Sequence, residues 1–250
     1  MNAPIEPAFP ADQIPMRNPA CSSPLLTALF PPGICAAELR IPGQPSLLFP
    51  EEARHLGASA AKRIGEFAAG RLCARRALAE SGSTEAPLEV LSDRQPRWPP
   101  GFTGSITHAD GFCGAVVAKR EHMRALGVDV EIVGQVSPDI WPEILAPAEA
   151  LWIRSLAAAE QLNAAALIFS AKETFFKCQF AVTGQWLDFQ AVTVELSGRR
   201  PGVRKFWIRP LVKVALQERA AMPLDGRFEF TGNFVITGMA LAASQEALGK

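Results

Sequence analysis

The sequence has no two cysteines at the C-x-x-C spacing, and its five cysteines are an odd number. Zinc sites and disulfide frameworks normally need closely spaced or paired cysteines, so neither is supported. Cysteines within apolar runs behave as small hydrophobic residues. The chain is therefore expected to be a cytoplasmic protein with reduced thiols.

A surplus of one charge and a membrane-length apolar run are also missing. The 25 Lys and Arg residues balance the 25 Asp and Glu residues. This balance argues against a bulk nucleic-acid binder, which would carry a marked basic excess. The apolar run 239–243 is far shorter than the roughly 20 residues that a membrane-spanning helix needs, so no membrane span is predicted.

The N-terminal segment lacks the features of a signal peptide. It has four prolines before Pro19, and neither a cationic start nor a continuous apolar stretch. Residues 1–23 are therefore predicted to be a disordered or extended tail.

The rest of the chain has the composition of a globular protein with a sizeable core, at 48% hydrophobic and 20% charged residues. Hydrophobic periodicity predicts a helix over 51–81, capped by Gly82, and two further helices over 146–156 and 157–180. Short apolar and alternating runs predict strands at 34–39, 104–108, 112–118, 126–133, 187–196, 204–209, 211–216, 227–230 and 234–242. The predicted fold class is α+β, and a division into two similar halves stays open.

Two carboxylates stand at alternate positions of the strand predicted over 126–133. Because strand side chains alternate between faces, Asp129 and Glu131 point to one side, while Val128, Val130 and Ile132 point to a core. Neighbouring carboxylates repel each other unless a cation or hydrogen-bond donors neutralise them. Magnesium prefers a few carboxylates together with substrate phosphates, so the pair is a candidate metal site. The alternative is a strand face that is open to water.

A third carboxylate lies in the segment 169–177 of the predicted helix 157–180. Glu173 and Lys177 are four residues apart and share a helix face, and Lys172 precedes the glutamate. Without further context, this pair is a surface ion pair that contributes little to stability.

Several residues are candidates for phosphate binding. Thr107 and His108 place a hydroxyl beside an imidazole at a strand end, which suits a phosphate or, alternatively, a nucleophile–base pair. Arg63 and Arg71 lie on the same side of the helix predicted over 51–81. Their planar guanidinium groups match phosphate oxygens, and a solvated helix face is the alternative.

Together, these segments resemble the 4′-phosphopantetheinyl transferases, especially the branch around the enterobactin-synthase transferase. The resemblance covers roughly residues 39–196, and its specificity lies in the order and spacing of the motifs. The matching segments are Lys62-Arg63 through Ala69-Gly70-Arg71-Leu72, Arg94-Gln-Pro-Arg-Trp-Pro99, Gly104-Ser-Ile-Thr-His108, Gly127-Val-Asp-Val-Glu131, Leu145-Ala-Pro-Ala-Glu149 and Phe169 to Lys177.

The resemblance implies two similar α/β halves, 24–122 and 123–250, with coenzyme A bound in the cleft between them. It implies an enzyme that transfers 4′-phosphopantetheine from coenzyme A to a serine of an apo acyl, peptidyl or aryl carrier protein. The other product would be adenosine 3′,5′-bisphosphate. The implied setting is a cytoplasmic monomer in siderophore or other secondary-metabolite biosynthesis.

The resemblance also implies roles for single residues. Asp129, Glu131 and Glu173 would hold magnesium, or manganese, together with the coenzyme A pyrophosphate. Glu173 or Glu149 would accept the proton of the carrier serine. Many relatives have serine where this chain has Thr107, which keeps the hydroxyl. Contacts to coenzyme A would come from Arg63, Arg71, Arg94, Thr107, His108, Lys172 and Lys177.

Three other functions are compatible with the same residues: a magnesium-dependent coenzyme A phosphohydrolase, a non-catalytic coenzyme A-binding module, and an interaction protein with a solvent-facing acidic strand. For the transferase, the resemblance implies an acidic carrier protein, which a basic rim would attract. The candidates for that rim are Lys119, Arg120, Arg124, Arg199, Arg200, Arg204 and Lys205.

Overall fold

The structure is a computed structural model that describes residues 24–40, 43–57, 59–84, 86–196, 204–218 and 224–243. The predicted tail 1–23 lies outside these residues. The helices within the described ranges are α1 (Pro24–Thr27), α2 (Pro50–Ala53), α3 (Ala61–Glu80), α4 (Trp141–Ile144), α5 (Pro147–Arg154) and α6 (Ala158–Thr183). None of these described helices is both long and apolar enough to cross a membrane.

The strands form two antiparallel sheets, so the α+β fold class is confirmed. The first sheet has the order β1-β3-β2 and the second the order β4-β8-β7-β6-β5. The strands are β1 (Cys35–Leu39), β2 (Phe102–Ala109), β3 (Phe112–Lys119), β4 (Met123–Ile132), β5 (Val192–Leu196), β6 (Arg204–Pro210), β7 (Asp225–Thr231) and β8 (Phe234–Ala242).

Helix α3 packs on the first sheet through small side chains. Cys73, Ala74 and Ala77 are buried in one cluster with Ala115 and Val117 of β3. Small residues let the helix axis come close to the sheet, which leaves the opposite helix face to polar side chains.

Helix α6 packs on the second sheet even more closely. A Cβ atom on Gly127 of β4 would stand 2.0 Å from the carbonyl oxygen of Thr174 and 3.0 Å from Cβ of Cys178. Glycine is therefore required at this contact, because it alone lacks a Cβ. The next residues on the same face of β4 are Asp129 and Glu131, so this contact sets their position relative to α6.

The other face of β4 belongs to a core shared by both sheets. Val128 and Val130 are fully buried there, together with Leu26, Phe30 and Val116. The predicted alternation of apolar and acidic faces along β4 is therefore confirmed.

Two hydroxyl groups of β2 fasten the first sheet to β4. The backbone N–H of Val128 donates to Oγ of Ser105 at 3.1 Å, and that of Val130 donates to Oγ1 of Thr107 at 3.0 Å. Buried backbone N–H groups need acceptors, and here side chains supply what a neighbouring strand would normally offer. The two sheets therefore meet along β2 and β4.

Most predicted elements are confirmed, but three predictions need correction. The strand predicted at 187–196 begins only at Val192, because Phe189–Ala191 form a 3₁₀ turn. The strand predicted at 211–216 is wrong: the chain bends after Pro210 and forms a 3₁₀ turn at Ala215–Glu218. The Gln185 side chain holds this bend, because it donates to the carbonyl of Lys213 and accepts the N–H of Ala215, both at 3.0 Å. The helix predicted over 51–81 is divided into α2 and α3 by a turn that contains Gly57 with a φ of 47°.

Substituting Gly127 tests the close contact between β4 and α6. We expect Gly127→Ala to lower the free energy of unfolding by about 1–3 kcal/mol, because the added methyl group overlaps the Thr174 carbonyl. Thermal and urea unfolding followed by circular dichroism measure this loss. Ala242→Val, at the exposed end of β8, is the control and should change stability little. Equal stabilities of Gly127→Ala and wild type would contradict the proposed contact.

Candidate active site

Lys177 and Asp129 form an ion pair where α6 faces β4. The Lys177 ammonium lies 2.7 Å from Oδ1 of Asp129 and donates a second hydrogen bond to the carbonyl of Val128 at 3.2 Å. Burial alone lowers the pKa of Lys177, but the charges of Asp129, Glu173 and Glu131 outweigh it, and the pKa is raised overall. Lys177 is therefore a permanent cation at neutral pH.

Glu131 and Glu173 border this ion pair. Burial and the charge of Asp129 raise the pKa of Glu131 to about 8, against the opposing charge of Lys177 and with a smaller contribution from Glu173. Burial also raises the pKa of Glu173, against the opposing charge of Lys177 and with the support of Asp129. Three carboxylates thus face one ammonium group, and the surplus of negative charge favours either a proton on one glutamate, as the raised pKa values show, or an additional cation.

Asp129 keeps one oxygen unused. Its Oδ1 accepts hydrogen bonds from Lys177 and, at 3.3 Å, from the hydroxyl of Thr107, whereas its buried Oδ2 has no hydrogen-bond partner among the described residues. A buried carboxylate oxygen without a partner is unfavourable, and a bound ion, water or ligand relieves the cost. Oδ2 of Asp129 is thus available to bind a ligand.

The three carboxylates do not form a ready-made metal cage. Within the described part of the chain, no group of three or more His, Cys, Asp or Glu side chains is arranged to hold a metal ion together. The ammonium of Lys177, already bound to Asp129, lies among these carboxylates. Any ion bound here would need further oxygens from its ligand or from water.

An apolar cavity of about 200 Å³ adjoins Glu173. Trp186 at its rim is 77% exposed and packs edge-on against Phe176, with 5.1 Å between the ring centroids. Apolar walls beside a charged cluster suit a molecule that has one anionic and one uncharged end. The cavity is lined by Lys172, Glu173, Phe175, Phe176, Trp186, Leu187, Asp188, Phe189 and Val192.

Lys172 stands next to Glu173 in sequence, but its ammonium binds a different set of partners. Its Nζ donates to Oε2 of Glu149 at 2.7 Å and to the carbonyls of Ile144 at 2.9 Å and Phe189 at 2.8 Å. Burial lowers the pKa of Lys172, against the opposing effect of Glu149. All three N–H bonds of the ammonium are used inside the protein.

Both carboxylate oxygens of Glu149 likewise accept hydrogen bonds inside the protein. Glu149 is 5% exposed and also accepts the backbone N–H of Ala146 at 2.8 Å and that of Val194 at 2.7 Å. The predicted carboxylates and lysines, together with Thr107, therefore divide into two groups. Asp129, Glu131, Glu173, Lys177 and Thr107 lie together, whereas Glu149 and Lys172 form a separate buried pair.

The predicted cationic residues lie on several elements. Arg63 is exposed on α3, His108 is exposed on β2, and Arg94 is exposed in a turn, where its φ is 70°. Arg71 is 5% exposed: its Nε donates to the carbonyl of Leu88 at 2.8 Å, and its guanidinium stacks on Phe67 at 4.3 Å. Burial lowers the pKa of Arg71 to about 10, so it stays charged at neutral pH.

Sequence reasoning missed some residues of the site. Ser105 holds β4 as Thr107 does, and the alternation of strand side chains places both on one face of β2. Phe176 and Trp186 line the cavity, but in sequence they read as ordinary core aromatic residues. Only the cavity itself distinguishes them.

Two family models match the chain in succession. Residues 51–118 match the 4′-phosphopantetheinyl transferase N-terminal domain, and residues 125–220 match the 4′-phosphopantetheinyl transferase superfamily. The two matched segments contain the first and the second long helix respectively.

Individual relatives agree with these matches. Over 200 residues, 79% of this chain and 80% of the relative, the chain is 37% identical to the 4′-phosphopantetheinyl transferase Svp of Streptomyces mobaraensis. It is 34% identical to the 4′-phosphopantetheinyl transferase PptT of Mycobacterium tuberculosis over 195 residues, 77% of this chain and 85% of PptT. It is 35% identical to enterobactin synthase component D of Shigella flexneri over 135 residues, 53% of this chain and 63% of that protein.

Substituting Thr107 tests whether its hydroxyl supports the fold through its hydrogen bond to Val130. We expect Thr107→Val to lower the free energy of unfolding by about 1–3 kcal/mol, because the buried N–H of Val130 loses its acceptor. Thr107→Ser keeps the hydroxyl and should retain most of the stability. Urea unfolding measures both variants. A Thr107→Val variant as stable as wild type would show that this hydrogen bond does not support the fold.

Proposed function

Since the chain belongs to the 4′-phosphopantetheinyl transferase superfamily, we propose that it transfers the 4′-phosphopantetheine arm of coenzyme A to a serine of an apo acyl, peptidyl or aryl carrier protein. Adenosine 3′,5′-bisphosphate is the second product. The observation that carries the proposal is the group of Asp129, Glu131, Glu173 and Lys177 beside an apolar cavity. Such a site suits a diphosphate with an uncharged arm, which is the chemistry of coenzyme A.

The acidic group suits a magnesium ion, with manganese as the alternative. The supporting observations are the unpartnered Oδ2 of Asp129 and the surplus of carboxylates over ammonium groups. Magnesium commonly binds one or two protein carboxylates and takes its other oxygens from phosphates and water. Asp129, Glu131 and Glu173 would hold the ion, which would supply positive charge to the diphosphate.

Cationic side chains would hold the phosphates of coenzyme A. Lys177 would offset the negative charge that develops on the bridging oxygen of the diphosphate, which leaves as part of adenosine 3′,5′-bisphosphate. Such transfers are catalysed mainly by positioning and electrostatics. Arg63, Arg71 and Arg94 would serve the 3′-phosphate and adenine end, and His108 would contact a phosphate. The hydroxyl of Thr107 already binds Asp129 and Val130, so we assign it the task of holding Asp129 in place.

The cavity between Phe176 and Trp186 would receive the pantetheine arm. Its apolar walls suit the uncharged arm, and Glu173 belongs both to the acidic group and to the cavity lining. The phosphorus that is attacked lies between the arm and the rest of the diphosphate. Glu173 is therefore at the appropriate place to accept the serine proton, and burial raises its pKa towards the value that a general base needs.

The carrier protein would approach across a basic surface. Lys119 and Arg120 are exposed in the turn between β3 and β4, and Arg124 is exposed on β4. Lys205 is exposed on β6 near Arg204, whereas Arg199 and Arg200 lie outside the described residues. The proposal further includes a cytoplasmic location, which the free thiols of Cys35, Cys73, Cys113 and Cys178 support. It also includes a monomer, as the family resemblance implies.

Mass spectrometry of apo carrier proteins tests the proposed reaction. After incubation with enzyme, coenzyme A and magnesium, we expect a carrier to gain about 340 Da, the mass of the arm calculated from its formula. The same reaction without carrier is the control. Cleavage of coenzyme A without any carrier would instead indicate a phosphohydrolase, and coenzyme A binding without turnover a binding module.

Asp129 is the residue whose loss should affect transfer most. We expect Asp129→Asn to lower kcat/KM by about 100-fold or more, because it keeps the shape of the side chain and removes its charge. Titration of activity with magnesium should show weaker activation than in wild type. Asp139→Asn, an exposed carboxylate change outside the site, is the matched control and should behave as wild type. Full turnover by Asp129→Asn would exclude Asp129 from the catalytic centre.

A further inference from the structure

Three buried hydroxyl groups connect α6 to β8. They belong to Ser170 and Thr174 of α6 and to Thr237 of β8, and all three side chains are fully buried. Oγ1 of Thr237 lies 2.9 Å from Oγ of Ser170 and 2.6 Å from Oγ1 of Thr174. These three residues are named here the hydroxyl cluster. None of them has a task in the function proposed above.

The hydroxyl of Thr237 uses its whole bonding capacity within the cluster. It donates its single proton to the carbonyl of Ser170 at 3.0 Å. A hydroxyl has one proton and two acceptor positions, so Ser170 and Thr174 are the donors in the other two bonds. The hydroxyl of Thr174 also lies 3.3 Å from the carbonyl of Thr237. Because each of these groups is buried, a displacement that breaks one bond leaves a polar atom unsatisfied, which is costly.

The cluster fixes both the height and the rotation of α6 over the second sheet. Ser170 and Thr174 are about one helical turn apart and bind the same oxygen atom of Thr237. A shift by one residue moves a helix by about 1.5 Å and turns it by about 100°, which would break both bonds. Apolar contacts are not directional, so they allow such shifts more readily. The glycine at 127 permits close approach of the helix, whereas the hydroxyl cluster selects one orientation of it.

The acidic group adjoins the hydroxyl cluster on both elements. Thr237 stands directly opposite Asp129 in the pairing of β8 with β4, so both side chains point to the face that α6 covers. On α6, Glu173 immediately precedes Thr174, and Lys177 follows it by three residues. The hydroxyls of the cluster bond only to oxygen atoms of the cluster itself among the described residues. The cluster therefore acts on the position of α6 and on no carboxylate directly.

We propose that Thr237 is a positioning residue, which acts through Ser170 and Thr174 to hold α6 where Lys177 reaches Asp129. Glu173 is brought to the acidic group by the same helix position. The effect on transfer rests on the proposed function, whereas the ion pair between Lys177 and Asp129 can be measured without any ligand. Loss of the Thr237 hydroxyl should weaken this ion pair and slow the transfer.

A double-mutant cycle measures the ion pair directly. Urea unfolding gives the stabilities of Asp129→Asn, Lys177→Met and their combination, first in the wild-type background and then together with Thr237→Val. Thr237→Val keeps the shape of the side chain and removes its hydroxyl. We expect the coupling between positions 129 and 177 to fall to about half of its wild-type value or less. Thr237→Ser keeps the hydroxyl and should restore most of the coupling.

Transfer kinetics provide a second readout. We expect Thr237→Val to lower kcat by about tenfold and to change the KM for the carrier protein less than about twofold, because misplaced groups slow the chemical step. Ser170→Ala removes one bond of the cluster at a position where alanine favours the helix. It should lower kcat by about threefold, and it tests the same effect if Thr237→Val does not fold.

Leu78→Ala is the control for a general loss of stability. Leu78 is buried in the core between α3 and the first sheet, outside the acidic group and the hydroxyl cluster. Its truncation should lower Tm at least as much as Thr237→Val does, because it removes more buried apolar volume. The coupling between positions 129 and 177 and the value of kcat should both stay as in wild type.

Two outcomes would overturn the inference. An unchanged coupling between positions 129 and 177 in Thr237→Val would show that the hydroxyl cluster serves stability alone. Equal losses of kcat in Leu78→Ala and Thr237→Val would attribute the kinetic effect to stability as well. If the wild-type chain transfers no phosphopantetheine to any carrier, the proposed function fails, and the double-mutant cycle still decides whether Thr237 positions α6.

Discussion

The site depends on how β4 and α6 share buried charge. The close contact at Gly127 brings α6 so near to β4 that the charge of Asp129 raises the pKa of Glu131, Glu173 and Lys177. One ammonium cannot neutralise three carboxylates, so the group either takes up a proton, as the raised pKa of Glu131 indicates, or binds a further cation. A diphosphate then becomes a suitable ligand, because the cation and Lys177 together attract it. The charges of the site therefore depend on the close packing of the α6 and β4 backbones.

Lys172 and Lys177 lie on one helix and show two opposite uses of a buried cation. Lys172 has a protein partner for each of its N–H bonds, and its carboxylate partner accepts two backbone N–H groups as well. Lys177 binds an aspartate whose second oxygen has no partner among the described residues. A saturated pair serves the fold, whereas an unsaturated pair has bonding capacity left for a ligand. The number of hydrogen-bond partners therefore distinguishes a structural lysine from a ligand-binding one, although both residues are of the same type.

Much of the fold was predictable because its signals are local. Alternation along 126–133 predicts which face of β4 is acidic, and helical periodicity predicts both long helices. The strand wrongly predicted at 211–216 shows the limit: its apolar residues fit a strand, but hydrogen bonds from the distant Gln185 bend the chain. A local pattern carries no information about such a partner.

The sequence by itself determined which side chains are available for the site: the acidic residues on one face of β4, the glutamate and lysine of α6, and the hydroxyl of Thr107. Tertiary structure alone decided which of them meet. Asp129 and Lys177 are 48 residues apart, and Thr107 turns its hydroxyl to β4, where the edge N–H of Val130 needs an acceptor. Side-chain periodicity is fixed by the geometry of one helix or strand, whereas a hydrogen bond or charge pair depends on the packing of two.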